Sequence, residues 1–121
     1  MDFIKLTKRE TEIMAILWGH DNISANDIMQ VSEGLSINTI QETLQKLLRL
    51  GFIEVSGIGK NKKAIARLYS PIISETDYIE SFIREDIHMQ LTASFIKKTK
   101  DLELIKQLTN LLQARQKELI N

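Results

Sequence analysis

The sequence predicts a mainly α-helical chain with one small β-hairpin. Three observations predict it. Helix N-caps recur ahead of apolar stripes of helical period, two strand-type runs flank a glycine-containing basic segment mid-chain, and the last third returns to helical periodicity. Thr7-Lys8-Arg9-Glu10 has the capping-box pattern, and Ile13, Ile16 and Leu17 follow as an i, i+3, i+4 stripe, with Met14 and Trp18 alongside. A helix over roughly 7–19 is expected, ending near Gly19. Ile23-Ser24 reads as a short extended link. Ser24-Ala25-Asn26-Asp27 is a second cap, so a shorter helix should run from about 25 to 33 and stop at Gly34.

The third helix is the clearest. Ser36 can cap it, Ile40, Leu44, Leu47 and Leu48 fall on one narrow face, and Gly51 sits where a helix commonly turns left-handed and ends. Residues 52–56 and 64–70 are rich in strand-forming types, and the basic segment 57–63 between them reads as a flexible tip. Pro71 closes this unit. The order helix, link, helix, helix, strand, loop, strand is the winged variant of helix-turn-helix.

From Ser74 the pattern changes. Ser74-Glu75-Thr76-Asp77 is another cap, and Ile79, Phe82, Ile83, Ile87 and Leu91 fit one helical stripe, extended by Phe95 and Ile96. Lys97 to Lys100 read as a break. Leu104, Ile105, Leu108, Leu111 and Leu112 form a further stripe on a helix running to about residue 119. At about 1.5 Å per residue, this last helix spans some tens of ångströms. Two such amphipathic helices cannot cover their own apolar faces, so they must fold back or pair with a second chain. The expected organisation is therefore a winged helix over 1–73 and a helical dimerisation arm over 74–121, with Ile79, Phe82, Ile83, Ile87, Leu104, Ile105, Leu108, Leu111 and Leu112 at the dimer interface.

Composition narrows the function classes. The chain has 121 residues, 43% of them apolar, which suits one packed domain with an appended arm. It has no cysteine, which excludes disulfides, thiolate metal sites and cysteine catalysis. The first residues lack a secretory n-region, and the longest apolar run, 13–18, is far too short to span a bilayer. A cytoplasmic protein without a membrane partner is expected. Net charge is zero but unevenly spread. Residues 1–35 carry three basic against six acidic side chains, 36–73 carry six against two, and 74–121 carry seven against eight. The positive charge is concentrated in the middle third, the footprint that a phosphate backbone requires.

The same third supplies a polar face. At 100° per residue, Asn38, Glu42, Gln45, Lys46 and Arg49 lie opposite the apolar stripe of the third helix, with Thr39 and Gln41 at the flanks. Asn and Gln can contact adenine bidentately, Lys can reach guanine, and Glu can accept from cytosine N4. Ser36 and Thr39 stand near the helix N-terminus, where hydroxyls and amides can hold a phosphate. Lys60, Lys62, Lys63 and Arg67 on the hairpin would meet the backbone or the minor groove. Glu42, which would repel phosphate, is expected to pair with Lys46 at i+4. These features point to double-stranded DNA. The rival reading is a winged helix that uses this surface for protein contacts without sequence-specific DNA binding, favoured by the neutral net charge and by Glu42.

The chain also resembles the penicillinase-repressor family. The resemblance is carried by Leu6-Thr7-Lys8-Arg9-Glu10-Thr11-Glu12-Ile13-Met14 with Leu17-Trp18, by Ile23-Ser24-Ala25-Asn26-Asp27-Ile28, by Asn38-Thr39-Ile40 followed by Leu47 and Gly51-Phe52-Ile53, and by Arg67-Leu68-Tyr69-Ser70-Pro71 with Ser74, Asp77 and Tyr78. It implies a homodimer that binds a palindromic operator and represses resistance or metal-homeostasis genes, with the C-terminal helices as the interface and an upstream sensor or protease as a further partner. Gln41, Glu42 and Lys46 depart from the family's common recognition-helix residues, so no operator sequence carries over. The nearest match to the Asn-Phe bond at which some members are cleaved is Ser94-Phe95, and the paired cysteines of copper-sensing relatives are absent.

No catalytic grouping or cofactor motif is assembled by this sequence, and no cofactor is expected. His20 and His88 lie in different elements and fall short of the three or four ligands of a zinc site.

Overall fold

The computed structural model describes residues 3–61 and 64–121. They fall into two compact units, Met1–Phe82 and Ile83–Asn121. In the first, α1 (Lys8–Trp18) starts from a complete capping box. The Glu10 amide donates to Thr7 Oγ1 at 3.2 Å, and the Thr7 amide donates to Glu10 Oε1 at 2.9 Å. Ile13, Met14 and Leu17 are buried along one side of the helix, and Gly19 caps its end. A second capping box at Ser24 and Asp27 opens α2 (Ala25–Val31). This helix ends two residues earlier than its periodicity predicts, because Ser32 is already extended at ψ 154° and Gly34 makes the turn at φ +81°.

The longer α3 (Ile37–Arg49) is capped by Ser36, whose hydroxyl accepts from the Thr39 amide. It buries Ile40, Thr43, Leu44 and Leu47. Its end is a Schellman motif: Gly51 at φ +77° donates to the Leu48 carbonyl, and Phe52 donates to the Leu47 carbonyl. Gly51 is one position where lack of a side chain is required, since an L-residue there pays a backbone penalty.

The hairpin differs from expectation. β2 (Ile53–Asn61) and β3 (Ala64–Pro71) are continuous strands, and the segment predicted as a flexible tip is mostly sheet. Gly57 pairs with Leu68 and Gly59 with Ala66. Gly59 serves a close approach: a Cβ there would lie 3.1 Å from Leu68 Cδ2. A bulge at Ser56 falls between the Val55–Tyr69 and Gly57–Leu68 pairs. The predicted link is also a strand. β1 (Ile23–Ser24) pairs antiparallel with β3, Ile23 opposite Tyr69 and Ser24 opposite Leu68, giving a three-stranded sheet in the order β1-β3-β2.

The core draws on every element of this unit: Leu6, Ile13, Met14, Leu17, Ile23, Ile28, Ile40, Leu44, Leu47, Phe52, Ile53, Tyr69 and Tyr78. Each fully buried aliphatic among them contributes roughly 1.5–3 kcal/mol by leaving water. Tyr78 lies on α4 (Glu75–Glu80), beyond the predicted boundary at residue 73. Its ring packs among Phe3, Trp18, Phe52 and Phe82, and its hydroxyl accepts from the Leu6 amide at 2.9 Å. The Trp18 indole donates to the Ile73 carbonyl at 2.8 Å. These long-range contacts hold α4 within the first unit, which runs to Phe82.

The second unit holds a 3₁₀ turn (Glu85–Ile87), α5 (His88–Lys98) and α6 (Leu102–Ile120). The single stripe expected from Ile79 to Ile96 is thus interrupted. The chain leaves α4 at Ser81, Arg84 is extended at ψ 141°, and α5 restarts without a side-chain cap. The predicted break at Lys97 to Lys100 is narrower: Lys97 and Lys98 form the last turn of α5, where cations oppose the helix dipole. Asp101 caps α6 by accepting from the Leu104 amide. Neither α5 nor α6 contains a fully buried residue.

Candidate nucleic-acid interface

The first unit presents α3 beside the hairpin, with a concave surface between them. It is lined by Asn38, Gln41, Glu42 and Gln45 of α3, by Ile65, Ala66 and Arg67 of β3, and by Ser24, Ala25 and Asn26 at the start of α2. The capping boxes set this arrangement. Ser24 ends β1 and starts α2 in one residue, so the α2 N-terminus is fixed against β3. Ser36 then aims α3, whose buried stripe turns Asn38, Gln41, Glu42 and Gln45 outward.

Most residues predicted for the reading surface lie among the described ones. Asn38, Gln41, Glu42 and Gln45 are exposed on the concave face, and Arg49 is exposed in the last turn of α3. Ser36 and Thr39 hydrogen-bond to each other at 2.9 Å at the helix start, with Thr39 half-buried. Arg67 is exposed, opposite Ile58 in the sheet. The Lys60 backbone pairs with Ile65, while Lys62 and Lys63 lie outside the described residues.

Lys46 departs from expectation. Its ammonium does not pair with Glu42 but lies 2.6 Å from Glu10 Oε2 on α1. Burial decides between the two carboxylates. Glu10 is 6% exposed, whereas Glu42 stands in solvent, and a buried carboxylate left without a countercharge costs far more than an exposed one. The Lys46 ammonium, helped by the Thr7 amide, holds the Glu10 carboxyl below its usual range against the opposing effect of burial. Lys46 is therefore on the flank of α3 that faces α1.

Sequence reasoning missed Ile65, Ala66 and Asn26 on this surface. Alternation along β3 places Ile65, Arg67 and Tyr69 on one face, but which face of the strand lies beside α3 is set by packing between elements distant in sequence. In the arm, Ile79 and Phe82 belong to the first unit. Ile83, Ile87, Leu104, Ile105 and Leu108 are half-buried, and Leu111 and Leu112 are exposed. Among the described residues no group of three or more His, Asp or Glu is placed to hold a metal. His20 Nδ1 instead lies 2.9 Å from the Ile16 carbonyl at the end of α1.

The family model for the penicillinase repressor matches residues 6–116, through both units. The chain belongs to the penicillinase repressor family. This is a family of transcriptional repressors and not a class of enzymes. The penicillinase repressor of Bacillus licheniformis is 29% identical over 79 residues, covering 63% of this chain and 58% of that protein. The match thus spans little more than half the relative's length. Among solved structures, the B. licheniformis BlaI monomeric form in complex with the blaP half-operator is 26% identical, with 69% of this chain and 98% of that chain covered and a TM-score of 0.47. A point mutant of S. aureus MepR bound to an oligodeoxyribonucleotide is 17% identical, with 94% and 80% covered and a TM-score of 0.51, a likeness of fold. No helix among the described residues is long and apolar enough to cross a membrane.

Proposed function

We propose that this penicillinase repressor family member is a sequence-specific DNA-binding transcriptional repressor acting as a homodimer on a palindromic operator. The observation that carries this reading is the outward face of α3, with Asn38, Gln41, Glu42 and Gln45 in one concave surface with Arg67 of the hairpin. An α-helix with its side chains is roughly 10–12 Å across, the width of the major groove. Asn38, Gln41 and Gln45 read adenine edges there, and Glu42 accepts from a cytosine amine. Ser36, Thr39, Arg49 and Arg67 hold phosphates and fix the register, together with Lys60, Lys62 and Lys63.

Dimerisation falls to the second unit. With no fully buried residue in α5 or α6 and with Leu111 and Leu112 in solvent, this unit has apolar surface to share with a second copy. Two reading units joined in this way engage half-sites about one helical turn apart. The protein acts in the cytoplasm, carries no catalytic site and needs no cofactor. Selection from a random-sequence duplex pool tests the reading. Enrichment of an inverted repeat bound by two chains is expected. Recovery of no common sequence would leave the surface to protein contacts.

A further inference from the structure

Lys46 lies on the helix that would enter the groove, yet its charge is engaged elsewhere. Among the described residues its bond to Glu10 is the one salt bridge that joins two secondary-structure elements. Arg9–Glu12, Arg84–Asp86 and Arg115–Glu118 are all local. Both Glu10 oxygens are committed, Oε2 to Lys46 and Oε1 to the Thr7 amide, so the carboxylate is fixed within the first turn of α1. We propose that the Glu10–Lys46 pair sets the roll of α3, making both of them positioning residues for base reading and removing Lys46 from the set of direct DNA contacts. This rests on the DNA-binding reading above.

The need for such a device follows from how α3 is held. Its buried face is Ile40, Leu44 and Leu47, with Thr43 bonded to its own helix at the Thr39 carbonyl. Aliphatic contacts are non-directional. They keep α3 on the core with its polar face outward, but offer no directional contact to fix the fine roll about its own axis. At a side-chain radius of about 5–6 Å, a roll of about 20° carries the Gln45 tip sideways by roughly 2 Å, enough to break a bidentate base contact. A short charge-assisted bond to a buried, doubly held carboxylate supplies the missing direction. It acts on the flank of α3, beside the concave face rather than within it.

The two roles available to Lys46 predict opposite signs for one substitution. Glu10→Gln keeps the shape of the side chain and the acceptor for Thr7 while removing the charge that holds Lys46. If Lys46 is a positioning residue, Glu10→Gln and Lys46→Met each weaken binding to the duplex selected by the wild-type chain by about tenfold, the scale of one base contact. Binding to random duplex and the salt slope stay unchanged. The double variant is no worse than the weaker single, and Lys46→Arg restores discrimination. Stability loss alone would not move the ratio of selected to random affinity, measured on protein shown to be folded by circular dichroism. Should Lys46→Met fail to fold, Glu10→Gln carries the test by itself. The proposal is overturned if Glu10→Gln binds more tightly, if Lys46→Met shallows the salt slope by about 0.9, or if the two losses add. A wild-type chain that selects no duplex overturns the DNA reading, and this proposal with it.

Discussion

Replacing Tyr78 by Phe removes one atom from the contact that ties α4 to the first unit. The Tyr78 hydroxyl accepts from the Leu6 amide at 2.9 Å, across 72 residues of sequence, and both residues are buried. Phe at this position keeps the ring and its neighbours Phe3, Trp18, Phe52 and Phe82. What is lost is the acceptor, which leaves a buried N–H without a partner, at a cost of about 1–3 kcal/mol. A loss of about 2 kcal/mol should lower the melting temperature of a unit this size by about 8–16 °C. The assay is equilibrium urea unfolding beside a thermal melt, with the slope on urea unchanged because the same surface is exposed on unfolding. A loss below about 0.5 kcal/mol would mean instead that the Leu6 amide reaches water and that this bond does not hold α4.

Further outcomes follow from the other contacts. Glu10 has a folded-state pKa below the ordinary 4.5, so its contribution to stability is present above that value and is lost as pH falls through the lower folded-state value. Urea midpoints of wild type and Glu10→Gln should therefore converge as the solution is acidified below pH 4.5, and a gap independent of pH would show that Glu10 is not held ionised. Arg67→Ala should weaken binding to all duplexes alike and shallow the salt slope by about 0.9, and an unchanged slope would remove the hairpin from the phosphate backbone. Leu108→Asp combined with Leu112→Asp puts carboxylates on the apolar stripe of α6 and should give monomers in sedimentation, whereas an unchanged dimer would mean that this stripe is not the interface.

Local rules made α1 and α3 legible from sequence. Their caps, Thr7 and Ser36, and their stripes are written within a single turn or two of each element, and Gly51 marks the end of α3 because only a left-handed residue completes that turn. What escaped depended on partners distant in sequence. Gly57 and Gly59 look like loop residues until Leu68 is seen lying across them. Ile23-Ser24 is too short to declare itself a strand without β3 beside it. Tyr78 sits in a helical pattern like its neighbours, and only the Leu6 amide and a four-ring cluster assign it to the first unit. Lys46 had an acceptable carboxylate four residues away, but the buried one on α1 outcompetes it. On the candidate surface, the polar residues of α3 were therefore visible by periodicity, and the contributions of β3 and of α2 were not.

Whether the exposed face of α3 reads bases is measured by repeating the duplex selection with Gln45→Ala. The expected product is an inverted repeat that relaxes or changes at one position in each half-site and is otherwise the same as the wild-type repeat, because Gln45 touches a base edge while the phosphate contacts remain. An unchanged repeat bound more weakly by the same factor at every sequence would mean that Gln45 reads no base.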